Sequence, residues 1–266
     1  MNSQRKETNQ QHVLTGHRRR LILERLQSRN AVKTSELSEA FSVSPMTIRN
    51  DLNILAEQGE LVRIHGGAIV REWLTGEPSY QDKANLNRDE KERIGQRAAT
   101  LIEEGMAVFI GNGTTTMQII NHLPQDRRFH IFTNALNHAI EVDHLPQAEV
   151  FVIGGHLRAV SLAMVGRLAH QALQGIYFDL AFLGVNGISI EHGLTIPSLE
   201  EAETAVEVIR HSQRTVVVAD HSKFGIVSHG KIADISDIDV IITDNGLAPR
   251  FSDDLVSLDV KLYSAG

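Results

Sequence analysis

The stretch SVSPMTIRNDLNILAEQGELVRIHGGA, residues 42–68, packs a cap, a helix, a helix stop and a two-stranded turn into one run. Ser44 can cap a helix that starts at Pro45, where the missing proline N–H costs nothing, and Gly59 can end it. Along that helix Ile48, Leu52 and Leu55 recur at i, i+4 and i+7, so they must face a core. The N-terminal face left outside carries Met46, Thr47, Arg49, Asn50 and Asn53. Next, ELVRIHGGAIV reads as two strands joined at Gly66-Gly67, with Arg63 and His65 displayed on the hairpin.

Upstream, HRRRLILERLQ puts Leu21, Ile22, Leu26 and the stem of Arg25 on one face of a first helix. A second helix, SELSEAF, has Thr34 as its expected cap and Leu37, Ala40 and Phe41 turned inward. Two short helices, a tight SVS turn, an acid-poor third helix and a hairpin make a winged helix-turn-helix. In that layout the last helix lies in the major groove and offers its first residues to base edges. Arg49 suits guanine, Asn50 adenine, and Thr47 a phosphate or a thymine methyl. Thr34, Ser44 and Met46 flank them, and Arg63 and His65 would meet the backbone or minor groove. The same caps and turn also fit a plain helical bundle with a hairpin, in which Arg49 is a solvated charge.

From Asn85 onward apolar strands alternate with helical stretches: MAVFIGNG, TTTMQIINHL, RFHIFTN, ALNHAIEVDHL, AEVFVIGG, a helix around MVGRLAHQALQ, FDLAFLGVNG, SLEEAETAVEVIRHS, RTVVVAD, DVIITD and VKLYS. Short strands apolar on both faces predict a parallel sheet covered by helices on each side, a doubly wound α/β domain. The organisation is therefore a head at 14–70, an aperiodic linker at 71–84 and a body at 85–266. Parallel sheets hold ligands at the C-terminal ends of their strands. Gly111, Gly113, Thr114, Thr115 and Thr116 sit at one such end, where helix N–H groups and hydroxyls suit phosphate. A tight turn and cap would use the same residues. Other strand ends bring Thr133 and Asn134, Gly154 to Arg158 (Gly155 among them), Asn186, and Asp220 to Phe224. Arg158 and Lys223 are the available cations there.

Composition sets limits. With 42% hydrophobic and 22% charged residues, the chain is an ordinary globular one. It has no Cys, so disulfides and thiolate zinc sites are excluded, and 13 scattered His predict no metal. The polar start and the lack of a bilayer-length apolar run predict no membrane and a cytoplasmic location. Charge is uneven: up to Val70 there are 10 Lys/Arg against 7 Asp/Glu, and the rest holds 16 against 26. A head at +3 on a body at −10 points the head toward an anion such as nucleic acid.

The run RRRLILERLQ…VKTSELSEAFSVSPMTIRNDLNILAEQGELVRIHGGA resembles the N-terminal signature of the DeoR family of bacterial sugar-metabolism repressors. GNGTTT, TN, GGHLR…S…G, FDLAFLGVNGI, GLT and SKF resemble, in order, the marks of that family's sensor domain. TIRNDL and GGHLR have a loose likeness to its amino-sugar and hexitol branch. The resemblance implies a sensor similar in fold to ribose-5-phosphate isomerase and sugar-phosphate deaminases. It implies a phosphorylated sugar as effector, its phosphate on Gly113 to Thr116 and Lys223, with double-stranded operator DNA as the other partner. No cofactor is implied. A homo-oligomer, dimer or tetramer, is expected because such heads read two half-sites. This chain departs from the family's pattern at Asn50, where a second basic residue is common, and at Gly111 and Asn186, where Asp is common. It also departs at Ala205, where Lys is common. In the related isomerases a carboxylate takes a proton, which Asn186 cannot do. A sugar-phosphate isomerase with an accessory head, and a ligand-independent nucleoid or RNA binder, are the competing readings. Both fit less well than a non-enzymatic repressor.

Overall fold

A computed structural model describes residues 15–26, 31–64, 66–69, 77–142 and 145–266. The chain forms two compact units, 1–86 and 87–266.

In the first unit, α1 (15–26) is followed by β1 (Ala31–Lys33), α2 (Thr34–Phe41), α3 (Pro45–Glu57), β2 (Val62–Ile64), β3 (Gly67–Ile69) and α4 (Tyr80–Ala84). Ile22, Leu26, Leu37, Ile48, Leu52 and Leu55 form one core with Val32, Leu61 and Ala68. Truncating any of the large ones to Ala would cost about 2–5 kcal/mol. Ser42 ends α2 in the left-handed region at φ 51°, which makes the turn into α3 tight. The wing is larger than the expected hairpin: β1 adds to β3, giving an antiparallel order β1-β3-β2. Gly66 takes φ +82°, and a Cβ on Gly67 would lie 2.0 Å from the Val32 carbonyl oxygen, so the joint requires both glycines.

Two local expectations change. Thr34 does not cap α2; it is the first helical residue, behind an extended Lys33 whose side chain makes no capping bond. Its N–H donates instead to the Gly66 carbonyl at 2.7 Å, which pins α2 to the wing. Ala40 points outward rather than into the core. Within the stretch read as aperiodic, 71–76 lie outside the described residues, while Ser79 and Asp82 form a capping box that starts α4.

The second unit runs α5 (Arg88–Ala99), β4 (Ala107–Ile110), α6 (Thr114–Asn121), β5 (Phe129–Thr133), α7 (Leu136–Glu141), β6 (Ala148–Val152), β7 (His156–Arg158), β8 (Ala163–Val165) and α8 (Arg167–Leu173). It continues with β9 (Leu180–Gly184), β10 (Gly187–Ser189), β11 (Gly193–Ile196), α9 (Leu199–Arg210), β12 (Thr215–Val218), β13 (Gly230–Ala233), β14 (Val240–Asp244), α10 (Pro249–Ser257) and β15 (Lys261–Ala265). The seven-stranded sheet has the order β15-β14-β12-β9-β4-β5-β6, and every neighbouring pair is parallel. The chain starts in the middle at β4, winds outward through β5 and β6, then returns to the other side at β9. The direction of winding therefore reverses between β4 and β9, and a crevice opens beyond their C-terminal ends.

Both faces of the sheet are covered, as its two-sided apolar strands require. Ile94, Ala98, Ile119 and Ile120 of α5 and α6 pack on Val108, Ile110, Phe129 and Ile131. Ala169, Leu173 and Val208 of α8 and α9 pack on Phe109, Ala181 and Leu183. Two small pieces were not expected from sequence: the antiparallel sheet β10-β11-β13 and the hairpin β7-β8. The helix expected around MVGRLAHQALQ begins only after Gly166, which sits at φ +86°; its first residues belong to β8.

Candidate functional site

On α3, Ser44 Oγ accepts from the Thr47 N–H at 3.1 Å and lies 2.9 Å from the Thr47 hydroxyl. Both hydroxyls are thus engaged in the cap. Met46 is 60% exposed, and Arg49 and Asn50 are open to solvent beside it. On the wing, Arg63 Nη1 donates to the Gly67 carbonyl at 3.0 Å. Burial and then the Arg49 charge hold the Arg63 guanidinium below its ordinary pKa. α3 and the wing therefore present two mutually repelling cations. Neither has an ion-pair partner among the described residues, and an anion laid across them would relieve that repulsion.

One of the expected head residues does not join this surface. Thr34 is 6% exposed, and its buried hydroxyl has no hydrogen-bond partner among the described residues, so it belongs to the interior. His65 lies outside the described residues. One residue was missed. Asp51, 2% exposed, accepts from Arg18 Nε at 2.6 Å and Arg19 Nε at 2.9 Å, tying α1 to α3. Positions 48, 51, 52 and 55 make one helical stripe, so its inward direction was readable; its partners, far upstream, were not.

In the second unit, the Gly111 N–H donates to the Phe182 carbonyl at 2.9 Å, joining the ends of β4 and β9. Gly113, at φ 149° and ψ 160°, opens α6 without any side-chain cap. The first N–H groups of α6, at Thr114, Thr115 and Thr116, thus lack intrahelical acceptors. Thr116 turns its hydroxyl back onto the Gly113 carbonyl at 3.0 Å. That carbonyl also lies 3.1 Å from His138 Nε2, so Nε2 is the protonated, donating nitrogen. His138 is fully buried, and desolvation, which outweighs the hydrogen bonds to Gly113 and Ile110, pushes its pKa down to about 4.

Asn134 is a brace rather than a free amide. Its Oδ1 accepts from the Asn112 N–H at 3.1 Å and its Nδ2 donates to the Met164 carbonyl at 3.3 Å. Gly155 precedes β7, and Arg158 ends it with Nη1 2.5 Å from Glu201 Oε1. Glu201 also accepts from the Ser161 hydroxyl at 2.5 Å and from Asn112 Nδ2 at 3.1 Å. Asn186 follows β9, half-buried, with its N–H donating to the Thr195 carbonyl at 3.0 Å. Ala205 packs between two apolar clusters of the core.

Lys223 stands in a 3-10 turn, His221–Lys223, directly after Asp220. Asp220 is fully buried: Oδ1 accepts from Asn87 Nδ2 at 2.8 Å and from Ser222, while Oδ2 has no hydrogen-bond partner among the described residues. Burial alone would raise its pKa. The charge of Lys223, the Ser222 hydroxyl and the charge of Lys91 together hold it below the ordinary value. Lys91, 3% exposed in the first turn of α5, is a cation the sequence did not reveal, because its position looks like any charged helix start.

No group of three His, Cys, Asp or Glu side chains is disposed to hold a metal among the described residues. No helix among them is long and apolar enough to cross a membrane.

Comparison with known proteins matches both units. Residues 18–72 match the DeoR-like helix-turn-helix domain and residues 86–245 the DeoR C terminal sensor domain. The chain is 36% identical over 254 residues to a putative aga operon transcriptional repressor of Escherichia coli O157:H7, covering 95% of this chain and 94% of that one. It is 34% identical over 223 residues to the glycerol-3-phosphate regulon repressor of Escherichia coli K12, covering 84% and 88%. Among solved structures, ribose 5-phosphate isomerase A of Methanocaldococcus jannaschii overlays with a TM-score of 0.39 at 16% identity, over 52% of this chain and 55% of that one. Two domain matches in sequence order and relatives alike over nearly their whole length place it plainly: the chain belongs to the DeoR family of helix-turn-helix transcription regulators.

Proposed function

We propose that this regulator is a sequence-specific repressor of a carbohydrate-utilisation operon, released from its operator by a phosphorylated sugar. The observation that carries the effector half is the crevice between β4 and β9, where the uncapped start of α6 faces out of the sheet's winding reversal. Its free N–H groups and three threonines suit a phosphate, and Lys223 supplies charge at the neighbouring strand end. The operator half rests on Arg49, Asn50, Thr47 and Met46 of α3, with Arg63 of the wing. Relatives named as repressors of an aga operon and of a glycerol-3-phosphate regulon support the same reading.

Release is a linkage effect. A ligand that binds the DNA-incompetent arrangement more tightly lowers operator affinity by that difference and no more. Two half-sites call for a homo-oligomer, assembled through the second unit, in the cytoplasm with its DNA. Turnover of the sugar is not part of this reading. Asn186 offers no proton acceptor, and Asp179 and Glu201 are committed to the Ala107 N–H and to Arg158.

The test is fluorescence anisotropy on duplex DNA from the gene's own upstream region, at several salt concentrations. Sugar phosphates are added, each paired with its free sugar. Sequence-specific binding that only a phosphorylated sugar reverses is expected. Binding indifferent to sequence, or release by the free sugar as readily as by the phosphate, would refute it.

A further inference from the structure

The helix α3 has two faces. Ile48, Asp51, Leu52 and Leu55 are buried, while Met46, Arg49, Asn50 and Asn53 stand exposed at i, i+3, i+4 and i+7 of one stripe. That stripe carries no acid. The carboxylate between Pro45 and Ala56 is Asp51, turned inward onto Arg18 and Arg19. Glu57, exposed one turn past Asn53, ends the acid-free run. The Thr47 hydroxyl is engaged by Ser44 in the cap. Met46 is 60% exposed, and among the described residues of the first unit it is the one large apolar side chain left in water. A lone exposed methionine on an ordinary surface needs no explanation. This one opens a stripe on which a guanidinium and two amides follow, and neither amide has a hydrogen-bond partner among the described residues.

We infer that Met46 and Asn53 are specificity-determining residues that make α3 select A·T pairs: Met46 lies against the methyl group of a thymine, and Asn53, with Asn50, reads the edge of an adenine. The inference rests on α3 being the operator helix. The thymine C5-methyl is the apolar group that base edges present in the major groove. A long, flexible, polarisable methionine covers it well, whereas a cytosine in its place offers an amino group that a thioether accepts only weakly. An asparagine amide brings one donor and one acceptor, which match adenine N7 and its amino group. Guanine would set its O6 acceptor against the amide oxygen. Along the axis, Asn50 and Asn53 are offset by about 4.5 Å, close to the ~3.4 Å step between base pairs, so the two amides suit neighbouring pairs. Arg49 is left as the stripe's guanine or phosphate contact.

The experiment uses full-length protein and duplex DNA from the gene's own upstream region, with binding read by anisotropy. Deoxyuridine replaces the thymines one at a time, which removes a methyl group and leaves base pairing and the protein unchanged. One thymine should respond with roughly fourfold weaker binding, the effect of burying one methyl group. Met46→Ala should bind the unmodified duplex more weakly by at least that factor and no longer distinguish uracil from thymine there. Replacing adenines by 7-deazaadenine, which lacks the N7 acceptor, should weaken parent binding at neighbouring positions, and Asn53→Ala should lose the response at one of them. Both variants are at exposed positions, so their thermal unfolding should match the parent's. The inference is overturned if no thymine responds by more than about twofold, if Met46→Ala keeps the whole response, or if Asn53→Ala keeps every adenine response. Arg49→Ala separates the reading beneath it. If that variant binds as the parent does, α3 is not the operator helix and the inference falls with that reading. If it binds at least about fivefold more weakly while the uracil and deazaadenine scans are flat, α3 lies in the groove and this inference alone is wrong.

Discussion

Replacing Asp51 by Ala removes a buried carboxylate that joins α1 to α3. Asp51 accepts from Arg18 and Arg19 at 2.6 and 2.9 Å, and the two guanidinium groups are 17% and 27% exposed. Breaking a fully buried pair costs about 3–5 kcal/mol, because the remaining partner is left uncompensated. Here both arginines can recover some water, so the cost falls to about 2–3 kcal/mol. A unit this small holds only about 0.05–0.15 kcal/mol per residue, so the loss is a large share of its stability. Hydrogen exchange localises the effect. Amides in α1 and α3 should exchange about 30- to 150-fold faster, the equivalent of 2–3 kcal/mol, while amides of the second unit keep their protection. Asp51→Asn keeps an acceptor oxygen for one guanidinium and should lose less. If α1 and α3 in Asp51→Ala remain protected to within about twofold of the parent, the pairs are surface ornaments of the kind that contribute nothing measurable.

Three further outcomes are expected. Arg49→Ala should weaken specific operator binding by about 1–3 kcal/mol and leave the thermal unfolding of the second unit untouched; unchanged anisotropy would remove α3 from the groove. Thr115→Asp should abolish release by the sugar phosphate without abolishing operator binding, since a carboxylate there repels the ligand's phosphate; surviving release would put the phosphate elsewhere. His138 is held near a pKa of about 4 in the fold against about 6.5 in the unfolded chain, so the fold binds fewer protons between those values. Its contribution to stability is whole above pH ~6.5 and is lost as pH falls toward 4, up to about 3 kcal/mol. His138→Leu should therefore flatten the acid limb of the melting profile over that window, and an unaltered limb would refute the assignment.

The sequence shows periodicity well and small antiparallel pieces badly. Ile48, Leu52 and Leu55 face inward as their spacing demands, and the two-sided apolar strands form the parallel sheet. What escaped notice is short: β1, β7, β8 and β10 are three residues each and β11 and β13 four, too brief for a period of two to emerge. Thr34 shows a second limit. A Thr before a helical run suggests a cap, yet tertiary pairing of its N–H with Gly66 drew it one place inward. The uncapped α6 was legible because Gly and Thr at a strand end have a local meaning. Asn134 was also found, but its work as a brace on Asn112 depends on a partner 22 residues away.

The cations make the general point. From the sequence alone, Arg18, Arg19, Arg49, Arg63, Arg158 and Lys223 are equivalent positive charges. The structure divides them by what neutralises them. Arg18 and Arg19 answer to Asp51, and Arg158 answers to Glu201, across 33, 32 and 43 residues of sequence. A charge already matched by a buried carboxylate is poorly placed to hold an anion, because an incoming anion must compete with that carboxylate. Arg49 and Arg63 have no ion-pair partner among the described residues, and Lys223 faces an Asp220 that Lys91 also serves. Anion binding belongs with the unmatched charges. On the proposed reading it therefore falls to α3 and the wing for DNA, and to the α6 turn with Lys223 for a phosphate.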